Sequence, residues 1–506
     1  MSPDISSMHI RGKAGLAVNR PVESVPPGWA WVPLNSIARQ ETGHTPSRSH
    51  PEWWEGDIPW IGIRDARLHH GGVIYDTLQT TNTLGLANSS ARLLPKGTVC
   101  LSRTASVGYV TIMGREMATS QDFVTWTCLE ALVPEFLVKA LIAEGEGLRK
   151  FGKGTTHITI YFPEIRALHI CLPPLAEQKR IVAKLDVLNA KSARARTELA
   201  RIETLVSRYK QAVLRSSFLG ILTSDWRAKK PELATASDLI EKTPTPPQPR
   251  GGREATDRVI QGQAALAVNT PSREAPAKWQ WVPLNRIARQ ETGHTPSRSH
   301  PEWWDGDIPW IGIKDAGEHH GRVIEDTIQN TNEDGLANSS ARLLPAGTVC
   351  LSRTASVGYV TIMGKPMATS QDFVTWTCTE ALLPRFLMYG LMAEGDEIRE
   401  FGKGTTHTTI YFPEVRAMQI CLAPLEEQHE IVRRIEAAFA KIDRLAGEAK
   451  RALELVGKLD EAILAKAFRG ELVPQNEGDE PAEKLLERIR AERAVAPKAK
   501  RGRGRR

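Results

Sequence analysis

The sequence predicts an α/β (α+β) protein: two near-identical mixed α/β domains joined by two long helices that form an antiparallel coiled coil with pseudo-two-fold symmetry. The string RQETGHTPSRSHPEWW occurs at 39–54 and again at 289–304. Residues 31–180 and 281–430 align without a gap and are identical at about 117 of 150 positions. A heptad pattern of apolar residues follows each copy. Because solenoid repeats have periods of roughly 20–50 residues, an offset of 250 residues indicates duplication of a whole domain.

Composition divides the chain of 506 residues into seven segments. Each domain contains short β-prone runs such as GTVCLSRT, GYVTIMG and DFVTWTC, separated by Gly, Pro and Asn. The predicted order is an N-terminal segment 1–28, a first domain 29–173, a first spacer helix 174–222, a linker 223–278, a second domain 279–423, a second spacer helix 424–472, and a C-terminal segment 473–506 that ends in a basic tail.

Within the two spacer segments, residues 175–219 and 425–469 lack proline and carry apolar residues alternately four and three positions apart, which is typical of a coiled-coil seam. A single helix of this length cannot bury its own seam, so each helix needs the other. The connection favours antiparallel pairing, with Ser192 and Ala195 opposite Ala452 and Ala449. The predicted seam consists of Ile181, Leu185, Leu188, Ser192, Ala195, Leu199, Ile202, Val206, Tyr209 and Val213 in the first copy, and Ile431, Ile435, Ala438, Ile442, Leu445, Ala449, Ala452, Val456, Leu459 and Ile463 in the second.

The net charge of +7 equals the seven basic residues of the tail from Arg493 to Arg506, so the rest of the chain is close to neutral. If the folded part binds nucleic acid, it must do so through local patches. The six cysteines form no CxxC pair and have no zinc-ligand spacing, which favours a reduced protein without a metal site. No apolar run is long enough to span a membrane and no signal peptide is evident, so we expect a cytoplasmic protein.

Antiparallel pairing of equal helices would relate the two domains by about 180°, the symmetry with which dimeric proteins read inverted half-sites on duplex DNA. The repeated loop offers hydroxyl, amide and guanidinium groups for base edges or phosphates. It is equally compatible with a purely structural loop, and its paired tryptophans favour a core or wall position. The loop candidates are Arg39, Gln40, His44, Thr45, Ser47 and Arg48, with Arg289, Gln290, His294, Thr295, Ser297 and Arg298 in the second copy.

Two further motifs add candidates for DNA contact. GKGTTH follows the wrong order for a P-loop, but its amides and side chains suit a phosphate, or a tight turn before a strand. LSRTASVGYV places an arginine at a strand end, where it can reach guanine or bridge to a carboxylate such as Asp122. These candidates are Ser102, Arg103, Gln121, Lys153, Thr155, Thr156 and His157, and Ser352, Arg353, Gln371, Lys403, Thr405, Thr406 and His407.

No catalytic motif is evident. Asp57, Asp65 and Asp122 lack the arrangement of a nuclease cluster, and they suit loop geometry better. A methyltransferase needs a Gly-rich cofactor loop and a motif of the form [DNS]PP[YFW], and the chain has neither; the PPQP at 246–249 belongs to the linker. We therefore expect no catalytic residue, no metal site and no cofactor bound by this chain.

The run WVPLNSIARQETGHTPSRSHPEWWEGDIPWIGIRDA, then GKGTTHITI, then PPLAEQKRIVAKLD leading into a long helix that ends SFLG, resembles the specificity subunit of type I restriction-modification systems. The second copy repeats it as GKGTTHTTI, APLEEQHEIVRRIE and AFRGELV. The resemblance covers nearly the whole chain, and the doubled PLxEQ-to-helix junction is its most specific part.

The resemblance implies two target-recognition domains that each read half of a split DNA target, and a coiled coil that sets the gap. It implies two methyltransferase subunits that methylate adenine with S-adenosylmethionine, and motor-nuclease subunits that use ATP and Mg. Recognition domains of this family are commonly unlike each other, whereas these are nearly the same, which predicts a palindromic target. A self-sufficient DNA-modifying enzyme and a coiled-coil scaffold without DNA readout remain as alternatives. The half-site letters, the gap length and the methylated base do not follow from the sequence.

Overall fold

The structure is a computed structural model that describes residues 16–18, 25–104, 106–145, 147–148, 158–248, 266–268, 274–354, 356–395, 398 and 409–495. The chain divides into two compact units. Unit 1 consists of Met1–Leu199 and Arg451–Arg506, and unit 2 of Ala200–Lys450. Each unit therefore contains one domain together with parts of both long helices.

The first domain and its spacer helix have the following elements in chain order: β1 (Leu16–Val18), β2 (Ala30–Pro33), α1 (Leu34–Ile37), β3 (Ala38–Thr42), a 3-10 helix (Pro51–Trp54), β4 (Ile58–Ile61), α2 (Ile63–Leu68), β5 (Val73–Ile74), β6 (Gln79–Thr81), α3 (Thr83–Ala87), β7 (Val99–Ser102), β8 (Val110–Met113), β9 (Ala118–Thr119), β10 (Phe123–Cys128), α4 (Pro134–Glu144), α5 (Phe162–Arg166), β11 (Leu168–Leu172) and the long helix α6 (Leu175–Phe218).

Two short helices follow α6, namely α7 (Ser224–Ala228) and α8 (Ala236–Lys242). The second copy then repeats the series: β12 (Leu266–Val268), β13 (Gln280–Pro283), α9 (Leu284–Ile287), β14 (Ala288–Thr292), a 3-10 helix (Pro301–Trp304), β15 (Ile308–Ile311), α10 (Ile313–Glu318), β16 (Val323–Ile324), β17 (Gln329–Thr331), α11 (Glu333–Ala337), β18 (Val349–Ser352), β19 (Val360–Met363), β20 (Ala368–Thr369), β21 (Phe373–Cys378), α12 (Pro384–Glu394), α13 (Phe412–Arg416), β22 (Met418–Leu422), the long helix α14 (Leu425–Phe468) and α15 (Ala482–Val495).

The described part of each domain contains three mixed or antiparallel sheets, in agreement with the predicted mixed α/β class. In the first domain their strand orders are β1-β11-β2, β3-β10-β7-β8-β5 and β6-β4-β9, and the second domain repeats all three. Strand β10 pairs antiparallel with β3 and β7, whereas β5 pairs parallel with β8 and β4 pairs parallel with β9. The β4–β9 pairing brings the segment after β3 close to the segment after β9, which is where the candidate loop lies.

The doubled EQ of the helix junction fixes each long helix to its domain. The Gln178 side chain accepts a hydrogen bond from the Val133 amide at 2.9 Å and donates to the Ala131 and Pro173 carbonyls at 2.9 and 3.1 Å. Gln428 makes the same three bonds in the second copy. Because a buried amide must satisfy all its polar groups, this motif specifies the direction in which the helix leaves the domain.

The antiparallel pairing of the long helices is confirmed within each unit. In unit 1 Arg196 of α6 pairs with Asp460 of α14 at 2.6 Å, and Arg180, nearer the start of α6, pairs with Asp479, which follows the end of α14, at 2.5 Å. The partner number therefore falls as the residue number along α6 rises. Unit 2 shows the same trend, because Lys210 of α6 pairs with Asp443 of α14 at 2.6 Å, and Thr223, which follows α6, donates a hydrogen bond to Glu427 near the start of α14 at 2.7 Å.

The predicted register is wrong. With Ser192 opposite Ala452, Arg196 would lie opposite residue 448, about 18 Å along the helix from its observed partner Asp460. The predicted seam is also only partly buried, because the side chains of Tyr209, Leu445 and Leu459 are 61, 49 and 54% exposed. The heptad pattern identified the two helices that pair. It carries no information about the contacts that fix how far one helix is shifted along the other.

Those contacts lie at the helix ends. In unit 1 the end of α14 enters the core of the first domain, where Phe468 lies 5.2 Å from Phe136. In unit 2 the end of α6 enters the core of the second domain, where Phe218 lies 4.8 Å from Phe386. Each domain core is therefore completed by the helix of the other copy, and this docking sets the register.

Short helices cover both cores. Ala482, Leu485, Leu486 and Ile489 of α15 are buried in unit 1, and Ala236 of α8 is buried in unit 2. The segments predicted as a linker and as a C-terminal segment thus contribute core residues. Among the described helices, none is both long and apolar enough to cross a membrane.

Candidate nucleic-acid interface

The prediction that the whole repeated string 39–54 is a loop is wrong at both ends, because Ala38–Thr42 pairs as strand β3 and Pro51–Trp54 forms a 3-10 helix. The loop itself begins where β3 ends and is held in place by its backbone. The His44 amide donates to the Thr119 carbonyl at 2.9 Å, and the Trp60 indole N–H donates to the His44 carbonyl at 3.2 Å. Gly43 has to be glycine, because a Cβ there would lie 2.0 Å from the Thr119 carbonyl oxygen. The loop is therefore fixed at its base, while the His44 side chain itself is exposed.

An arginine stacked on tryptophan forms the centre of the loop. The Arg48 guanidinium lies 3.7 Å from the Trp54 ring centroid, and Trp54 meets Trp60 edge-on at 5.0 Å. One Arg48 nitrogen donates to the Gln79 side chain at 2.9 Å. The stack holds a planar cation at an exposed position, and its remaining N–H groups suit a phosphate or a base edge. The predicted wall position of the tryptophans is thus what orients the arginine.

The second copy reproduces this arrangement closely. Arg298 lies 3.7 Å from the Trp304 ring and donates to Gln329 at 2.9 Å. Next to the stack, His50 lies 4.1 Å from Trp53 and His300 lies 4.1 Å from Trp303. Identical sequence has folded to identical local geometry in two separate units.

A second polar cluster adjoins the loop. The Thr45 hydroxyl donates to the Gln121 side-chain oxygen at 2.5 Å, and Arg103 donates to the Gln121 carbonyl at 3.1 Å. Arg103 also donates to the Ile160 carbonyl and lies 4.5 Å from the Phe162 ring. Burial lowers the pKa of Arg103, against the opposing effect of Asp122. Gln121 stays exposed with its amide N–H₂ available, whereas Arg103 ties three loop segments together.

The second unit contains the matching cluster. Thr295 donates to Gln371 at 2.6 Å, and Arg353 donates to the Gln371 carbonyl at 2.9 Å. Burial likewise lowers the pKa of Arg353. In neither copy does this arginine form an ion pair with the neighbouring aspartate among the described contacts; its contacts are with carbonyl groups and a ring.

Other candidate residues form hydrogen bonds within their own domain. Ser102 and Ser352 are buried, and each hydroxyl accepts from the amide of a tyrosine, Tyr109 or Tyr359, at 2.8 Å. These two serines therefore close a turn and cannot reach DNA directly. Ser47 and Ser297 are exposed, each 2.7 Å from the serine two residues on. The candidates Lys153, Thr155, Thr156 and His157, and Lys403, Thr405, Thr406 and His407, lie outside the described residues.

The candidates on the first strand of the large sheet differ between copies. Arg39 pairs with Glu41 at 3.1 Å and has a 61% exposed side chain, whereas Arg289 pairs with Glu291 at 3.0 Å and is 43% exposed. Gln40 is half-buried and Gln290 is buried. In the second copy Gln248 accepts a hydrogen bond from the Gln290 amide at 3.0 Å, so the chain after α8 covers this strand.

The acidic residues of the loop region have structural partners. Asp65 accepts hydrogen bonds from the Gly62 and Leu78 amides at 2.9 and 2.8 Å, which caps helix α2. Asp122 accepts from Thr104 at 2.5 Å and from Ser120 at 3.1 Å. Within the described part of the chain, no group of His, Cys, Asp and Glu residues has the arrangement of a metal site. This geometry assigns both aspartates to holding loops.

The sequence reasoning missed one exposed aromatic pair. Tyr161 and Tyr411 follow Ile160 and Ile410, whose amides bond to the Arg103 and Arg353 carbonyls, and the two tyrosines are 50 and 49% exposed. An exposed ring beside a basic cluster suits stacking on a nucleobase. The sequence did contain one sign of this pair, because both copies keep a tyrosine shortly after GKGTTH.

Fold and loops together define a class: proteins with two copies of a recognition domain, each copy followed by a long helix. This chain belongs to the type I restriction modification DNA specificity domain family, whose model matches residues 26–204 and 276–455.

Similar proteins cover almost the whole chain. The EcoDI specificity subunit of a type I restriction enzyme from Escherichia coli is 26% identical over 493 residues, which is 93% of this chain and 97% of that protein. The EcoBI specificity subunit from Escherichia coli is 26% identical over 511 residues, covering 94% of both chains.

Two solved structures share the fold. The HsdS subunit from Thermoanaerobacter tengcongensis has a TM-score of 0.55 at 20% identity, covering 89% of this chain and 99% of that one. A chain from a structural study of complex assembly and conformational transition of the type I R-M system has a TM-score of 0.62 at 19% identity, covering 89% of this chain and all of that one.

Proposed function

We propose that this chain is the DNA-specificity subunit of a type I restriction-modification complex and that each of its domains reads one half of a split target. Family membership supports the general role. The observation that carries the finer proposal is the doubled Arg–Trp stack, with 3.7 Å from guanidinium to ring in both copies. Readers with the same side chains in the same geometry select the same bases, so the two half-sites are identical.

The half-sites are inverted relative to each other, which makes the target a palindrome with a gap. The antiparallel pairing of the helix segments in both units supports this part of the proposal. A head-to-tail repeat of the half-site would instead suit parallel helices.

The chain itself is non-catalytic in this proposal and binds no cofactor. It acts in the cytoplasm with two methyltransferase subunits, which use S-adenosylmethionine to methylate adenine, and with motor-nuclease subunits, which use ATP and Mg. The structural role of Asp65 and Asp122 supports a non-catalytic chain, because neither carboxylate is left to serve a reaction.

Selection from a random duplex library by the full chain tests DNA readout. The wild type should enrich a gapped inverted repeat. The double variant Arg48→Ala/Arg298→Ala should lose at least roughly 30-fold in affinity for that sequence, since each of the two base-reading pairs contributes about 1–3 kcal/mol. Arg469→Ala is the matched control, because Arg469 pairs with Glu471 beyond the end of α14 and outside both domains. Equal affinity of all three proteins would remove the proposed interface.

A methylation assay tests the non-catalytic role. The purified chain is incubated with S-adenosylmethionine and target DNA, alone and with the methyltransferase subunit of its system. Methyl transfer is expected only in the presence of the second subunit. Transfer by this chain alone would identify it as a self-sufficient modifying enzyme.

Lengthening the helices tests whether they set the gap. Seven residues inserted after Leu199 in α6 and after Ala449 in α14 extend each helix by about 10 Å. The gap in the selected target should grow by about three base pairs, at 3.4 Å per base pair. A gap of unchanged length would assign its control to another part of the molecule.

A further inference from the structure

The two loops are the same, but the segments beside them carry opposite charge. Residues 64–96 contain four basic and two acidic residues, whereas residues 314–346 contain three basic and six acidic ones. Four of the six acidic residues replace uncharged residues of the first copy, and all four are exposed. They are Glu318, Glu325, Glu333 and Asp334, in place of Leu68, Tyr75, Thr83 and Leu84.

Two of these acidic residues lie on a short helix whose start is bound to the candidate interface. They form the first turn of α11, whose N-cap Asn332 donates from its side chain to the Glu302 carbonyl at 2.7 Å and from its amide to the Trp303 carbonyl at 3.2 Å. The Thr331 hydroxyl also donates to the Trp303 carbonyl, at 2.7 Å. Glu333 and Asp334 thus begin a helix bound to the 3-10 helix that ends in Trp304, the ring beneath Arg298.

The first copy has the same construction without the charge. Asn82 donates to the Glu52 carbonyl at 2.7 Å, and Thr81 donates to the Trp53 carbonyl at 2.7 Å. In both copies a Cβ on the glycine of this helix, Gly85 or Gly335, would lie 3.0 Å from the tryptophan carbonyl. The helix therefore sits at the same place in each domain, and only the side chains of its first turn differ.

Exposed carboxylates on a helix beside a DNA-binding loop repel the phosphates. Duplex DNA carries one negative charge for about every 1.7 Å of its axis, and repulsion extends over a Debye length of about 10 Å at 0.1 M salt. We propose that the two domains bind the same half-site with unequal affinity, and that Glu333 and Asp334 make the second domain the weaker one. This inference rests on the proposed function, because it assumes that the Arg48 and Arg298 loops face DNA.

Unequal domains give an order of binding on a symmetric target. The first domain engages either half of the palindrome and holds the chain there. The second domain then binds the remaining half as an intramolecular step, at the effective concentration that the helices provide. Acidic side chains in the second domain thus make binding by that domain depend on the first domain being bound to the other half, because the second domain binds poorly to an isolated half-site.

Single-domain variants of the full chain separate the two affinities. The probe is the duplex enriched by library selection, with one of its two half-sites scrambled. Arg298→Ala leaves the first loop intact, and Arg48→Ala leaves the second. At about 50 mM salt the Arg298→Ala chain should bind this probe roughly three- to tenfold more tightly than the Arg48→Ala chain, the range expected from one or two exposed charges.

Neutralising the carboxylates should remove that difference. Adding Glu333→Gln and Asp334→Asn to the Arg48→Ala chain should bring its affinity to within about twofold of the Arg298→Ala chain. Glu325→Gln is the control, since it removes an exposed carboxylate that lies over Gly364 and not on α11. Thermal melting of each variant checks that the fold is kept.

The outcomes are distinct. Equal affinities of the two single-arginine chains, each weaker than wild type on the intact target, would overturn the inference and leave the proposed interface standing. Full affinity in both chains would overturn the interface and the inference together. Glu325→Gln could also remove the affinity difference between the two single-arginine chains as fully as Glu333→Gln and Asp334→Asn do. That result would show that the total charge of the domain is responsible, and it would contradict a role for the first turn of α11.

Discussion

At the start of helix α14 a buried glutamate has three donors around it, whereas the matching glutamate of α6 has one. Glu427 accepts from Thr223 at 2.7 Å, from Arg227 at 2.6 Å and from the Trp279 indole at 2.9 Å. Glu177 accepts from the Trp29 indole at 3.0 Å, and its second oxygen has no hydrogen-bond partner within the described structure. The same residue type in the same junction is therefore satisfied in one unit and not in the other.

The difference comes from the segments that follow the long helices. Gly220 and Gly470 end the helices in the left-handed conformation that favours glycine, with φ of 69° and 71°. After them, Thr223 and Arg227 of unit 2 correspond to Val473 and Glu477 of unit 1. The candidate DNA loops of the two copies have therefore kept both their sequence and their geometry. The starts of the two long helices differ in their hydrogen bonds, because the chain segments that contact them differ in sequence.

The largest expected effect tests what the two units share, a core completed by the other copy's helix. Phe468→Ala should destabilise unit 1, and Phe218→Ala unit 2, by about 3–5 kcal/mol each, because each leaves a cavity among buried rings. Hydrogen exchange followed by mass spectrometry resolves the two units. Leu455→Ala, at a 63% exposed position of α14, is the control and should change little. Loosening of unit 2 by Phe468→Ala would contradict the assignment of the helix ends.

The next effect sharpens the contrast between the glutamates. Glu427→Gln should destabilise unit 2 by about 2–3 kcal/mol at neutral pH, since it leaves the half-buried Arg227 without its anion. Glu177→Gln should stabilise unit 1, because burial raises the pKa of Glu177 and its charged form is costly. Exchange rates of peptides around Trp279 and Trp29 measure the two effects. The same sign in both units would remove the contrast.

The raised pKa of Glu177 also predicts a pH dependence. Its proton is held more tightly in the folded than in the unfolded chain, whose carboxyl has the ordinary pKa of 4.5. The stability of unit 1 should therefore fall as pH rises from 4.5 through the raised folded pKa, and then level off. In the Glu177→Gln variant that fall should disappear, which exchange measured between pH 4 and 8 would show.

A smaller effect concerns the chain after α8, which covers β14, the first strand of the five-stranded sheet in unit 2. In unit 2 the Gln248 side chain donates to the Asn285 and Ala288 carbonyls at 2.8 and 3.0 Å and accepts from the Gln290 amide. Gln248→Ala should cost about 1 kcal/mol and speed exchange of the β14 amides, leaving β3 in unit 1 unaffected. Unchanged exchange in β14 would show that the cover contributes no stability.

The smallest expected effect is a gain. Gly457 and Gly447 lie within α14, and a Cβ at either would meet nothing within 4 Å; the matching residues of α6 are Ser207 and Thr197. Gly457→Ala should stabilise the helix by about 0.5–1 kcal/mol, because glycine loses more backbone freedom on folding. A rise in the midpoint of urea unfolding measures it, and a fall would indicate a close contact at Gly457.

Sequence alone predicted the duplication, the mixed α/β domains and the paired antiparallel helices, because these follow from local patterns. It missed the register, which depends on Phe218 and Phe468 entering cores far away in sequence. In the candidate interface it selected the loop and Arg48. It did not predict the stack on Trp54, or the bond from Thr45 to Gln121, 76 residues further on. Ser102 looked like a contact because a strand-end serine gives no sign of burial.

The central claim is that one chain reads the same half-site twice, in opposite directions. Methylation mapping of the host genome by single-molecule sequencing tests it most directly, since every modified site records what the complex recognised. The account predicts one gapped motif whose two halves are inverted copies of each other, methylated at the same base in each half. A motif with two unlike halves, or with the same half repeated in one direction, would contradict it.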